Sequence, residues 1–397
     1  MVFLSLIYLA FISLGLPDSL LGSSWPMMNT ALGVPVGNAG FISAVMSGST
    51  IVSSLFSHRL IRRCGTGRVT VVSVAMTAVA LLGYSLAPSF PWLLVMAVPL
   101  GLGAGAVDSG LNEFVAEHYE AKHMNWLHCS WGIGAMLGPV LVSALAHSGY
   151  GWRSGYRSIS MIQFVLVGLL LFSLPMWRKF EHPAADAPDA AKEAAGKKNP
   201  FALLHTKTAA FAMLTFFLYI SAESSVILWG ASYLAKAKGI PPESAAGWIS
   251  LFFLGITAGR MLSGFVSVKL SNEKLIHYGT ILLIFGCVLM LLPLPDPVTL
   301  CALILVGLGL APIFPSMLHQ TPVYFKNENA QAAMGLQMAC AYTGTTLMPP
   351  LFGQLFSHIS FSLMPYVLLL CGIGLLFFTL RLSAAFQTGT PRAEEVS

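Results

Sequence analysis

The sequence predicts an all-α integral membrane protein: twelve transmembrane helices in two parallel six-helix halves. Three observations carry that prediction. Hydrophobic residues make up 56% of the chain and charged residues 9%, against about 25% charged in soluble domains. Apolar runs near the ~20 residues that cross a bilayer recur six times, stop at a polar stretch, and recur six times more. Two patterns also repeat between the halves at nearly the same offset. GFISAVMSG from Gly40 matches GWISLFFLG from Gly247, and LGLGAG from Leu100 matches VGLGLA from Val306. Spans 2 and 8, and spans 4 and 10, therefore correspond. The composition excludes a soluble enzyme and a disordered chain.

Span 1 is expected from about Val2 to Trp25. It has no basic leader and no convincing cleavage site, so it reads as a spanning helix and not a signal peptide. Pro17-Asp18 interrupts it, and Trp25-Pro26 is expected to end it at an interface, where tryptophan is favoured. Spans 2 to 6 follow at about 38–57, 69–87, 91–116, 126–147 and 158–177. The stretch Arg178 to Lys207 contains HPAADAPDAAKEAAGKKNP, charged and rich in Ala and Pro, and reads as a flexible linker. Spans 7 to 12 follow at about 208–235, 244–265, 275–293, 297–319, 329–357 and 362–383. The domains expected are an N-terminal half, 1–180, a linker, 181–207, a C-terminal half, 208–385, and a tail, 386–397.

Lys and Arg set the orientation. One side carries Arg59, Arg62, Arg63, Arg68, Lys122, the linker cations, Lys207, Lys269, Lys274, Lys326, Arg381 and Arg392. The other has only Arg153, Arg157, Lys236 and Lys238. Both termini and the linker are therefore expected in the cytoplasm, with the chain a multi-pass protein of the cell membrane. The net charge of +5 is a topology signal, so the partner is the lipid bilayer and no nucleic acid. The six cysteines form no CxxC pair and suggest neither a disulfide framework nor a metal site.

The chain is organised around Gly101 to Pro139, the end of span 4, a short loop and the start of span 5. Gly101 and Gly105, and again Gly134 and Gly138, are four apart, so each pair makes a small-residue groove for a neighbouring helix. Pro139 follows the second pair. Asp108 and Asn112 share a helix face. A charge inside a span costs at least ~2.5 kcal/mol, so this face must meet protein or a water-filled cavity.

These motifs resemble the major facilitator superfamily, and within it the fucose–galactose–glucose:proton symporter group. The resemblance covers nearly the whole chain. It is carried by GLGAGAVDSGLNEFVAEHY and NWLHCSWGIGAMLGP, by GLPDSLLGSSWP in span 1, FFLYISAESSVILWGASYL in span 7, LGITAGRMLSG in span 8 and GLAPIFPSML in span 10. The loop after span 2 departs from the family pattern. HRLIRRCGTGR keeps Arg63 and Gly65, but Arg62 stands where that pattern has an aspartate.

The resemblance implies a secondary transporter with a midplane site between rocking halves. It implies proton-coupled symport of a sugar or similar small hydrophilic solute, powered by the proton gradient with no cofactor, by a monomer. Asp108 matches the span 4 carboxylate that this group associates with proton coupling and sugar binding, Asn112 follows it, and Asp18 resembles the acidic position of span 1. Each carboxylate also has a purely structural reading, hydrogen-bonded to a neighbouring helix. Glu223, in the span 7 counterpart of span 1, is expected in the cavity; Glu113 is expected in a gating or structural pair.

Asn125 and His128 open span 5. His128 is either structural or a proton shuttle, since histidine titrates near neutrality. Arg260 reads as a snorkelling or ion-paired structural charge. Trp25, Trp131, Trp229 and Tyr342 are stacking surfaces for a sugar or members of the interfacial belt, the belt being preferred for Trp25. A proton-driven efflux antiporter is the rival within transporters. A non-transporting membrane sensor is the rival from another class, and nothing resembles an enzyme's catalytic constellation.

Overall fold

The computed structural model describes residues 2–177 and 206–389. Its helices are α1 (Val2–Asp18), α2 (Leu20–Leu32), α3 (Ala39–Cys64), α4 (Thr66–Ser85), α5 (Phe90–His118), α6 (Ala121–His147), α7 (Gly151–Trp177), α8 (Lys207–Ala237), α9 (Pro242–Trp248), α10 (Ser250–Val266), α11 (Asn272–Leu291), α12 (Asp296–Leu310), α13 (Ile313–His358) and α14 (Met364–Gly389). Among the described residues, 11 stretches are long and apolar enough to cross a membrane. Of the expected linker only Thr206 and Lys207 are described; Thr206 caps α8, its Oγ1 accepting from the Ala209 amide at 3.2 Å.

Span 1 differs from expectation at its end. Pro17 and Asp18 do interrupt it, leaving α1 and α2 joined at Ser19. The helix then continues through Trp25 and Pro26 to Leu32. Trp25 is fully buried and donates to the Val36 carbonyl at 2.6 Å, so it ties down the following loop and is no belt residue. Span 8 is also in two pieces, α9 and α10, joined at Ile249.

Spans 10 and 11 share one helix assignment. The 46 residues of α13 would run about 69 Å if straight, over twice the ~30 Å hydrocarbon core. Thr321 Oγ1 nevertheless donates to Gln337 Oε1 at 2.8 Å, though a straight helix would separate them by about 24 Å. The chain therefore doubles back between these residues. Span 10 is α12 with the first arm of α13, and span 11 is the returning arm.

Within the first group of helices, α1 packs on α6, α3 on α5, and α4 on α5 and α7. Within the second, α8 packs on α13 and α14, α10 on α12, and α11 on α12 and α14. The groups meet through α2 on α8, α3 on α13, and α6 on α9 and α10. Shifting the span number by one whole repeat exchanges the second and third of these pairings and maps the first onto itself. The repeat seen in sequence is thus expressed at the interface.

Glycines set how closely the spans approach. A side chain at Gly134 would collide with the Ile12 carbonyl, and one at Gly138 would stand 2.7 Å from the Leu16 carbonyl, so this groove receives α1. Gly101 and Gly105 face α3 in the same way, against the Met46 and Thr50 carbonyls. Thr50 also donates to the Gly101 carbonyl at 3.2 Å.

Candidate functional site

The kink at Pro17 leaves Asp18 as the last residue of α1, half-buried and facing α6. Trp131, Gly134 and Gly138 share a face of α6 by their i, i+3, i+7 spacing. The glycines seat that face on α1, which carries the Trp131 indole to Asp18. Its Nε1 donates to Asp18 Oδ2 at 2.7 Å.

Arg260 approaches the same indole from the other half. Its guanidinium carbon lies 5.2 Å from the centre of the Trp131 ring, within cation–π range. Arg260 Nη2 also donates to Glu223 Oε1 at 3.3 Å. Glu223 is 7% exposed. Tyr219, one turn earlier on α8, lies within electrostatic reach of both. The expected ion pair is present. The snorkelling reading is not: Arg260 turns inward, because Glu223 and the indole face offer a buried cation more than the interface does.

Asp108 forms the second cluster. Asn112 Nδ2 donates to Asp108 Oδ1 at 3.0 Å and to its carbonyl at 2.9 Å. The Asp108 side chain is exposed, yet it lies within electrostatic reach of Asp18 on α1 and of Tyr342 on α13. An exposed carboxylate near both halves faces the space between them and not lipid. Tyr342 is paired with Ser54 of α3. His128 is exposed, meets the Phe11 ring edge-on at 6.0 Å, and lies within electrostatic reach of Arg260.

The structure therefore brings together Asp18, Asp108, Asn112, His128, Trp131, Glu223, Arg260 and Tyr342. Other expected residues lie elsewhere. Trp229 is not a stacking surface. It is fully buried, donates to the Pro349 carbonyl at 2.9 Å and packs on Phe361. Glu113 pairs with His58 of α3 at 3.1 Å, a partner with no recognisable motif. Arg63 is exposed at the end of α3, and Pro139 is buried inside α6. Asn125 lies on α6 with its side chain outside the described residues.

Contacts between the halves concentrate at the end opposite the termini. Ser143 Oγ donates to the Glu243 carbonyl at 2.7 Å. Gly22 abuts the Ile227 carbonyl, and Gly40 abuts Pro350. This end is closed over the site.

A site of single polar residues on separate spans, between two repeat-related helix groups, suits solute passage. The family model for the Major Facilitator Superfamily matches residues 7–336. The chain belongs to the Major Facilitator Superfamily. As a major facilitator it is a multi-pass membrane transporter. Among similar proteins, the glucose/mannose transporter GlcP of Bacillus subtilis (strain 168) is 26% identical over 87% of this chain and 86% of its own. The sodium-dependent glucose transporter 1A of Mus musculus is 23% identical over 94% of this chain and 93% of its own. A crystal structure of a D-xylose-proton symporter superposes with a TM-score of 0.77 over 96% of both chains, at 13% identity, a likeness of fold.

Proposed function

We propose that this major facilitator carries a sugar or a similar small hydrophilic solute in symport with protons, by alternating access. One observation carries the reading. Asp108, held by Asn112, faces the space between the halves within reach of both Asp18 and Tyr342. A carboxylate there accepts hydrogen bonds from solute hydroxyls when ionised and donates one when protonated. Solute binding and proton binding at one place are therefore linked. The kinship to proteins named as glucose transporters supports a sugar. The protein acts as a monomer in the cell membrane, its termini cytoplasmic and the proton gradient its only energy source. Residues 1–180 rock against 208–385 about the midplane site.

Solute uptake into sealed vesicles with an imposed pH gradient tests this. Sugar accumulation that tracks the pH gradient supports it. Accumulation driven by a sodium gradient alone replaces the proton with sodium. Expulsion of lipophilic cations without sugar flux replaces the reading with efflux.

A further inference from the structure

We propose that Arg260 is the positioning residue that couples the two halves. From span 8 it rests on the Trp131 indole of span 5, and through that indole's hydrogen bond it registers the charge on Asp18 of span 1. The inference rests on the proton-symport reading for its role in transport, and the geometry carries it further. In its own half Arg260 pairs with Glu223 at 3.3 Å, with Tyr219 within electrostatic reach. The Trp131 ring it rests on, at 5.2 Å, belongs to the opposite half. The first can persist when the halves separate, and the second cannot. The indole is in turn polarised by Asp18, to which it donates at 2.7 Å. An ionised Asp18 strengthens that bond and attracts the guanidinium across the ring. A neutral Asp18 does neither.

A group couples protonation to conformation only if its charge interacts differently with the two states. Asp18 meets that condition because its neighbour Trp131 carries a contact with Arg260 of the other half. Arg260 is the element of the other half that senses it. Asp108 bonds to Asn112 of its own helix and reaches Tyr342 of the other half electrostatically.

The charged and titratable groups around this relay can be named. They are Asp108 from α5, His128 and Cys129 from α6, and Tyr219 and Glu223 from α8. From α7 the uncharged Gln163 faces α1, donating to the Ser13 carbonyl at 2.9 Å and accepting from Thr77 of α4.

Two variants cut the relay differently. Trp131→Phe keeps an aromatic face for Arg260 and removes the N–H to Asp18. Arg260→Lys keeps the charge and removes the planar stack. The first measurement is labelling of Ser143→Cys by a membrane-impermeant maleimide from the side away from the termini, with the Ser143 protein as blank. Labelling should rise as pH falls, because neutral Asp18 releases the latch. In the Trp131→Phe and Arg260→Lys backgrounds it should lose that pH dependence. The second is uphill solute accumulation. Across one pH unit it should approach about ten-fold for one proton per solute, and in both variants it should fall toward equality.

The labelling needs no solute, so it decides the relay even if the wild type proves not to be a proton symporter. Absence of pH-driven accumulation in the wild type sinks the symport reading alone. Unchanged pH dependence of labelling in either variant overturns the relay. Lower membrane abundance with an unaltered pH profile in the surviving protein also overturns it, leaving Arg260 a packing residue.

Discussion

The Trp131 indole donates to the Asp18 carboxylate at 2.7 Å, joining spans 5 and 1 within one half, while Arg260 of the other half sits on the same ring. A charge inside a span is tolerated when paired and facing protein. Asp18 and Glu223 lie on the corresponding spans 1 and 7 at nearly the same level, and both are served from one direction. Glu223 meets Arg260 directly and Asp18 meets it through the indole. The repeat thus places two carboxylates about one cation on the line where the halves touch.

The close seat of α6 on α1 predicts a severe cost for bulk at Gly134. Its added side chain would meet the Ile12 backbone, which cannot yield without moving α1. Gly134→Val should lower stability by about 1–3 kcal/mol, read as a fall in thermal midpoint of the detergent-solubilised protein. Gly168→Ala is the control, because nothing lies near a side chain there. Equal behaviour of the two would show that the α1–α6 contact is not tight.

Trp229 is expected to matter for folding and not for solute affinity. Trp229→Phe removes the hydrogen bond to the Pro349 carbonyl, worth about 0.5–1.5 kcal/mol. The thermal midpoint should drop while the KM for transport stays unchanged. A raised KM at wild-type stability would return Trp229 to the solute site.

These residues show how much the sequence revealed. Span lengths and the repeat were legible because a bilayer imposes length and apolarity on every span. Asp18, Asp108 and Glu223 were legible because a carboxylate in an apolar run is conspicuous. What one sequence cannot show is which neighbour a helix face meets. Trp229 follows Glu223 by six residues, not a whole number of turns, so it points to α13 while Glu223 points to Arg260. For Arg260 the sequence leaves open a snorkelling or an ion-paired charge, because no local pattern reveals a partner on another span. His58 has no local signature for the same reason, its partner Glu113 lying on α5. The reversal inside α13 is also long-range, visible only when Thr321 reaches Gln337.

The asymmetry of Lys and Arg predicts topology. A reporter fused after Lys192 and another at the C-terminus should both be active on the cytoplasmic side. Detection of either one outside the cell would refute the assigned orientation and, with it, the assignment of the closed end to the exterior.

The last prediction concerns Asp108. A carboxylate inside a span avoids the membrane cost of at least ~2.5 kcal/mol only by facing protein or water, and Asp108, held by Asn112, faces the space between the halves. Asp108→Asn keeps the shape and much of the hydrogen bonding but cannot titrate. The variant should reach the membrane at wild-type abundance, because the side chain is exposed and seals no packed contact. It should lose proton-driven accumulation. Solute exchange between the two sides should survive at least in part, because exchange need not pass through the empty carrier's proton step. If Asp108 only binds solute, accumulation and exchange should fall together through a raised KM, with kcat little changed. If it is only a structural anchor, abundance should drop and the surviving protein should transport normally. Full proton-coupled accumulation by the variant would remove Asp108 from the coupling mechanism and leave Asp18, with its link to Trp131 and Arg260, as the group that carries the proton.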